Sequence, residues 1–193
     1  MIVEFLMENR IPISEVFSGK VKKVELAGWV KNTRALGKIK FLVLRDISGE
    51  IQVTAVGSET DKKIFEMIDK IPRESVVSIV GEVKDSKQAP GGKEILPTEL
   101  IVLNKAEDLM IDISDTSKTE LPKRLDYRFL DFHRKKIQAI FRIQNVIANT
   151  FREHFYKKGF FEMQPPCIIS AASEGGTELF EVKYFEKKAY LAQ

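Results

Sequence analysis

Glu174 is followed by two adjacent glycines, Gly175 and Gly176, in the run Glu174-Gly-Gly-Thr-Glu-Leu-Phe180. A carboxylate beside so permissive a backbone can be presented to a ligand that approaches the chain closely. Taken alone, the same run reads as a surface turn. Gln52 offers a different chemistry. It lies in Glu50-Ile-Gln-Val-Thr-Ala55, whose period-two alternation sends Ile51, Val53 and Ala55 to a core and Gln52 outward. An outward amide can pair with the edge of an unstacked base. Phe41 lies on the strand before it. As a stacking platform its ring would contribute about 1–3 kcal/mol per base. Periodicity does not settle where it points. Ile39, Phe41 and Val43 share one face, Leu42 and Leu44 the other, and both faces are apolar.

Between positions 20 and 45, Lys20, Lys22, Lys23, Lys31, Arg34, Lys38, Lys40 and Arg45 face a single acid, Glu25. Such a run is either a solvated face or a phosphate-facing patch. The net charge of +3 does not decide between them. Cys167 is the only cysteine, which excludes a disulfide framework and a thiolate zinc site. His133 and His154 are the only histidines, too far apart in sequence for a metal cluster or a triad. The first ten residues carry Glu4 and Glu8 and lack a basic start before an apolar run, unlike a signal peptide. With no apolar run near eighteen residues, a soluble, cytoplasmic protein is expected.

The elements that must position these residues follow from the same pattern. Val24–Val30, around a turn-like Gly28, Ile39–Leu44 and Glu50–Ala55 read as strands, with Asp46-Ile-Ser-Gly49 as a tight connection. Residues 60–71 switch to helical spacing through Ile64, Phe65, Ile68 and Ile71. Strands resume at 75–83 and 95–103, separated by the loop 86–92. Three strands, a helix and two strands is the order of a five-stranded OB barrel. The predicted division is an all-β OB domain over 1–104, a linker or hinge over 105–126, and the start of an α+β domain over 127–193. The last opens with an amphipathic helix from Lys135 to Lys158, with Ile137, Ile140, Phe141, Ile147, Phe151 and Phe155 on one stripe. Gly159 is its C-terminal cap. A short strand is predicted at Phe160-Phe-Glu-Met163, ended by Pro165-Pro166.

The long helix, Gly159, Phe160-Phe161-Glu162 and Pro166 resemble motif 1 of the class II aminoacyl-tRNA synthetases, a homodimer interface in that family. Arg124-Leu-Asp-Tyr-Arg-Phe-Leu-Asp131 resembles the start of the catalytic domain in aspartyl and asparaginyl enzymes. Glu174-Gly175-Gly176 resembles the amino-acid-closing loop of the aspartyl branch, of archaeal type. Thr177-Glu178 fits that branch, since asparaginyl relatives tend to carry Ala-Thr. The resemblance runs from about Val24 to the last residue.

It implies that Glu174 accepts a hydrogen bond from the substrate α-ammonium group while Gly175 and Gly176 let the loop close. In the barrel it assigns base stacking to Phe41, the middle anticodon base to Gln52, an anticodon contact to Arg34 and the first anticodon base to Glu94. Phe161 and Pro166 fall in the dimer interface. Pro90 matches enzymes that accept both aspartate and asparagine tRNAs, whereas Lys31 departs from the residues of either specificity class. The implied reaction is ATP-dependent ligation of L-aspartate to tRNA-Asp through an aspartyl-adenylate, with tRNA-Asn as a further acceptor and Mg2+ at the phosphates. Motifs 2 and 3 and a Ser-Pro-Gln-x-x-Lys segment, which carry that chemistry in the family, are not in these residues. Anticodon binding without catalysis is therefore expected of the 193 residues themselves. The asparaginyl branch, a free-standing single-stranded nucleic-acid module and a dimerisation fragment built on the long helix are the competing expectations.

Overall fold

The computed structural model describes residues 9–19, 21–170 and 179–192. The chain divides into two compact units, 1–110 and 111–193. The first is built on β1 (Lys23–Leu36), β2 (Ile39–Arg45), β3 (Glu50–Val56), β4 (Val76–Asp85) and β5 (Lys93–Asn104). Each strand pairs with two others in the ring β1-β2-β3-β5-β4. All pairings are antiparallel except β3 with β5, where the ring closes through only Gln52↔Glu94 and Val53↔Ile95. Leu26, Val30, Leu42, Leu44, Ile51, Val53, Val77, Ile79 and Ile95 fill the interior.

Two helices contribute to this core. Helix α1 (Ile13–Val16) precedes the barrel and buries Ile13 and Val16 completely. Helix α2 (Lys62–Ile68), between β3 and β4, buries Ile64 and Ile68. It is shorter than the spacing predicts. Asp61 accepts from the backbone of Lys63 and Ile64, which fixes the start, as an N-cap carboxylate does. Ile71 still reaches the core from beyond the last turn.

Gly28 is not a turn residue. It lies within the fourteen-residue β1, and an added Cβ there would stand 2.3 Å from the backbone oxygen of Arg45. The glycine is required by this close approach of two backbones.

The connection Asp46–Gly49 is as tight as predicted. Asp46 Oδ1 accepts from Ser48 N at 2.7 Å, Ser48 Oγ at 2.6 Å and Gly49 N at 2.9 Å. Its Oδ2 accepts from Ile13 N at 2.9 Å, so one carboxylate ties α1 to the β2–β3 turn. Burial pushes the Asp46 carboxyl up, but the hydrogen bonds from Ser48, Ile13 and Gly49 outweigh it and hold it below its ordinary value of 3.8. A depressed folded-state value means the stabilisation is complete above the unfolded value and lost as pH falls through the folded one. Asp46→Asn, which turns a donor toward an existing donor, is expected to cost about 1–3 kcal/mol at pH 7. The gap to the parent should narrow below pH ~4. Urea midpoints of both proteins at pH 7 and pH 3 check this; a gap of the same size at both would refute it.

In the second unit, Ile111 and Ile113 are buried within what reads in sequence as a linker. Helices α3 (Leu121–Asp126) and α4 (Arg128–Asp131) follow. Asp131 receives Arg124 Nε and Nη2, both at 2.9 Å, and Arg134 Nη1 at 3.2 Å. The Arg124 guanidinium leads in holding this carboxyl below the usual carboxylate range.

Helix α5 (Lys135–Lys157) then runs 23 residues. Its C-terminus is the predicted glycine cap. Gly159 has φ 82°, Phe160 N donates to Phe155 O at 3.1 Å and Gly159 N to Tyr156 O at 3.0 Å. Phe155 and Phe160 pack edge to face at 5.2 Å. That is the full Schellman arrangement. The apolar stripe is exposed along Ile140, Ile147 and Phe151.

The strand predicted at 160–163 does not form. A strand needs a partner for its backbone groups, and among the described residues none pairs with it. Phe161 is 94% exposed and Pro166 is exposed. The unit ends in a small sheet of β6 (Ile168–Ile169), β7 (Glu181–Tyr184) and β8 (Lys187–Leu191), in the order β6-β8-β7. No helix among the described residues is long and apolar enough to cross a membrane.

Candidate nucleic-acid interface

The outer wall of the barrel over β1, β2, β3 and β5 collects four residues that are scattered in sequence. In β2, Leu42 and Leu44 are fully buried while Ile39, Phe41 and Val43 are half-buried. The inner face of this strand is therefore the leucine face, and Phe41 points out. In β3, Ile51, Val53 and Ala55 are buried, so the alternation predicted from sequence holds and Gln52 stands outside.

Arg34 reaches the same wall through an irregularity. Val30 pairs with Leu44, but Asn32 pairs with Val43, so Lys31 is the extra residue of a bulge. A one-residue slip moves every later side chain to the opposite face. Without it Arg34 would point inward with Val30. With it, Arg34 pairs with Phe41 across β1 and β2, its guanidinium carbon 4.9 Å from the ring centroid.

Two rows result. Arg34 neighbours Phe41, and Phe41 neighbours Thr54. Val43 neighbours Gln52, and Gln52 neighbours Glu94 across the parallel closure. Gln52 Nε2 donates to Thr54 Oγ1 at 3.1 Å and to Glu94 Oε2 at 3.2 Å. Thr54 Oγ1 donates to Glu94 Oε2 at 2.6 Å. One aromatic face, one cation, one amide and one carboxylate thus lie side by side. This set offers stacking and hydrogen-bonding groups of the kind that single-stranded bases take.

Thr54 was not among the residues singled out from sequence. The signal was present, since it follows Gln52 at period two and so shares its face. A threonine in a strand otherwise attracts no chemical reading.

Pro90 begins the short 3-10 turn Pro90–Gly92 that leads into β5 and Glu94. Gly91, at φ 80°, lies against Phe17, where a Cβ would come within 2.6 Å of the ring. Lys31 is bound to Glu50, its Nζ 2.9 Å from both carboxylate oxygens. Glu174, Gly175 and Gly176 lie outside the described residues, and Phe161 and Pro166 belong to the second unit.

The basic run does not form one phosphate-facing patch. Arg45 is buried against Glu74 at 2.7 Å, and Lys40 is bound to Asp69 at 2.7 Å. Lys20 lies outside the described residues, while Lys22, Lys23, Arg34 and Lys38 are exposed. Among the described residues no group of three metal-ligating His, Cys, Asp or Glu side chains occurs.

Residues 24–103 match the family of OB-fold nucleic acid binding domains that bind anticodons, and residues 120–193 match the class II tRNA synthetases of the D, K and N group. An aspartate–tRNA(Asp/Asn) ligase of Archaeoglobus fulgidus is 44% identical over 173 residues, covering 89% of this chain and 40% of that protein. This chain is thus similar, over nearly its whole length, to part of an aspartate–tRNA ligase. An aspartate–tRNA(Asp) ligase of Thermococcus kodakarensis is likewise 44% identical, over 94% of this chain and 41% of its own length. The crystal structure of asparaginyl-tRNA synthetase from Pyrococcus horikoshii with asparaginyl-adenylate superimposes with a TM-score of 0.87 at 34% identity, covering 97% of this chain and 43% of that one. The chain therefore spans about two fifths of the length of the relatives it matches. Its two matched regions are an OB-fold domain and the start of a class II tRNA synthetase domain.

Proposed function

We propose that this chain reads the anticodon of tRNA-Asp, within an enzyme that ligates L-aspartate to tRNA through an aspartyl-adenylate. The observation that carries the reading is the outer-wall set of Arg34, Phe41, Gln52 and Glu94, brought together by the β1 bulge and the β3–β5 closure. Phe41 stacks a base, Gln52 pairs with the middle anticodon base, and Glu94 accepts from the guanine edge of the first. Arg34, against the Phe41 ring, makes a further anticodon contact. The names of the aspartate ligases at 44% identity support the substrate.

Pro90 and the naming of one relative for both tRNAs support tRNA-Asn as a second acceptor, and Lys31 is assigned to the same discrimination. Glu174, Gly175 and Gly176 are assigned to the amino-acid substrate. ATP and Mg2+ belong to this chemistry, and the described residues gather no metal-ligating cluster to hold the ion. The exposed stripe of α5, with Phe161 and Pro166 beyond it, supports a homodimer in a cytoplasmic enzyme.

The chain is expected to bind an RNA stem-loop with the aspartate anticodon about tenfold more tightly than one with the first and middle bases exchanged, since each base is read by hydrogen bonds. Fluorescence anisotropy at fixed salt measures it. Equal affinities would leave a general single-stranded module instead. Sedimentation of the same sample should give twice the chain mass; a monomer would remove the dimer assignment. The likeness to an asparaginyl enzyme favours a second reading, the asparaginyl branch. Amino-acid-dependent pyrophosphate exchange by the full-length enzyme separates the two: aspartate supports the first, asparagine the second.

A further inference from the structure

We propose that Thr54 is a positioning residue that fixes the Glu94 carboxylate for guanine recognition and couples it to Gln52. The inference rests on the anticodon reading above and goes beyond it, because Thr54 itself is offered no base contact. Thr54 is 6% exposed, and its hydroxyl occupies the middle of a directed chain of hydrogen bonds. It accepts from Gln52 Nε2 at 3.1 Å and donates its own proton to Glu94 Oε2 at 2.6 Å. Gln52 Nε2 also reaches Glu94 Oε2, at 3.2 Å. Both hydrogen bonds to this carboxylate therefore converge on Oε2, which leaves Oε1 to accept from an incoming donor.

A glutamate has three side-chain torsions, and ordering it at the moment of binding costs about 0.5–1.5 kcal/mol for a rotamer-rich side chain. A short hydrogen bond to a carboxylate holds it in place beforehand. Thr54 has only one rotatable torsion before its oxygen, and its backbone pairs with Phe41 one residue beyond the parallel closure. The position therefore suits a fixed donor. The same hydroxyl also holds the Gln52 amide, so loss of Thr54 frees both readers together.

The test uses the full 193-residue chain and two RNA stem-loops that differ only in guanine or adenine at the first anticodon position. Adenine presents no N1–H donor to a carboxylate. Both affinities are measured on one preparation, so a reduced folded fraction cancels from their ratio. Thr54→Val, nearly isosteric but without the hydroxyl, is expected to lower the guanine preference about threefold, the share of the roughly tenfold anticodon preference that one of its two bases carries. Thr54→Ser keeps the hydroxyl and should restore the parent ratio. If Thr54→Val loses its far-UV circular dichroism, Thr54→Ala carries the same expectation. A residue important only for folding would change the thermal midpoint and leave the ratio alone. The proposal is overturned if Thr54→Val, or Thr54→Ala in its place, keeps the parent ratio, or if Thr54→Ser loses it. A parent chain with no guanine preference would instead overturn the anticodon reading itself.

Discussion

Phe41→Ala is expected to weaken binding of the aspartate anticodon stem-loop by between about fivefold and about 150-fold, the loss of one base–aromatic stack of about 1–3 kcal/mol. The position of the ring makes this a clean measurement. Phe41 is half-buried on the outer wall, whereas the core side chains of β2 are Leu42 and Leu44, both at 0% exposure. Truncation therefore removes surface that the barrel does not use for its interior, and the thermal midpoint should fall little. The Arg34 guanidinium, 4.9 Å from the ring centroid, loses a cation–π contact of about 0.5–1 kcal/mol at an exposed site. Phe41→Tyr keeps the π-face and should keep most of the affinity. Anisotropy titrations of the three proteins at one salt concentration decide it, since phosphate contacts make affinity depend steeply on salt. An alanine variant that binds like the parent would remove the stacking role.

The orientation of that ring could not be had from sequence. A strand apolar on both faces carries no alternation, and only the packing of Leu42 and Leu44 against β1 and β3 breaks the tie. Gln52 was legible because its strand does alternate. Glu94 shows the opposite limit: its neighbour Gln52 lies 42 positions away, joined by a two-pair parallel closure that no local pattern announces. Arg34 faces its partner only because Lys31 is an extra residue in β1, and a bulge leaves no mark in hydrophobic periodicity. The order of strands and helix was plain, and so was the Gly159 cap, since both rest on local rules. Helix α1 was missed because four residues are too few for a 3.6-residue period to register. The predicted strand at 160–163 failed for a different reason. Its composition suits a strand, but strand formation is a property of two segments, and its partner is not among the described residues.

Glu74→Ala is expected to destabilise the barrel by about 3–5 kcal/mol, the usual result of removing one member of a buried ion pair. Arg45 and Glu74 are 8% and 7% exposed, and Arg45 Nη2 lies 2.9 Å and 2.7 Å from the two carboxylate oxygens. Alanine would leave the guanidinium buried without that carboxylate. Glu74 also sits at φ 67°, a left-handed conformation unfavourable for a residue with a Cβ, and alanine does nothing to relieve it. The site is tied into the fold on both sides: Glu74 N donates to Val30 O at 2.7 Å, and the Arg45 backbone oxygen lies against Gly28. Since a domain is typically stable by only about 5–15 kcal/mol, urea unfolding should show a large drop in midpoint. Replacing both residues together, Arg45→Met with Glu74→Leu, removes both charges and should recover most of the loss. The same double variant tests the basic run from the other side. Arg45 is buried in an ion pair with Glu74, so the salt dependence of stem-loop binding should keep the parent slope. A slope reduced by about one phosphate contact would return Arg45 to the interface.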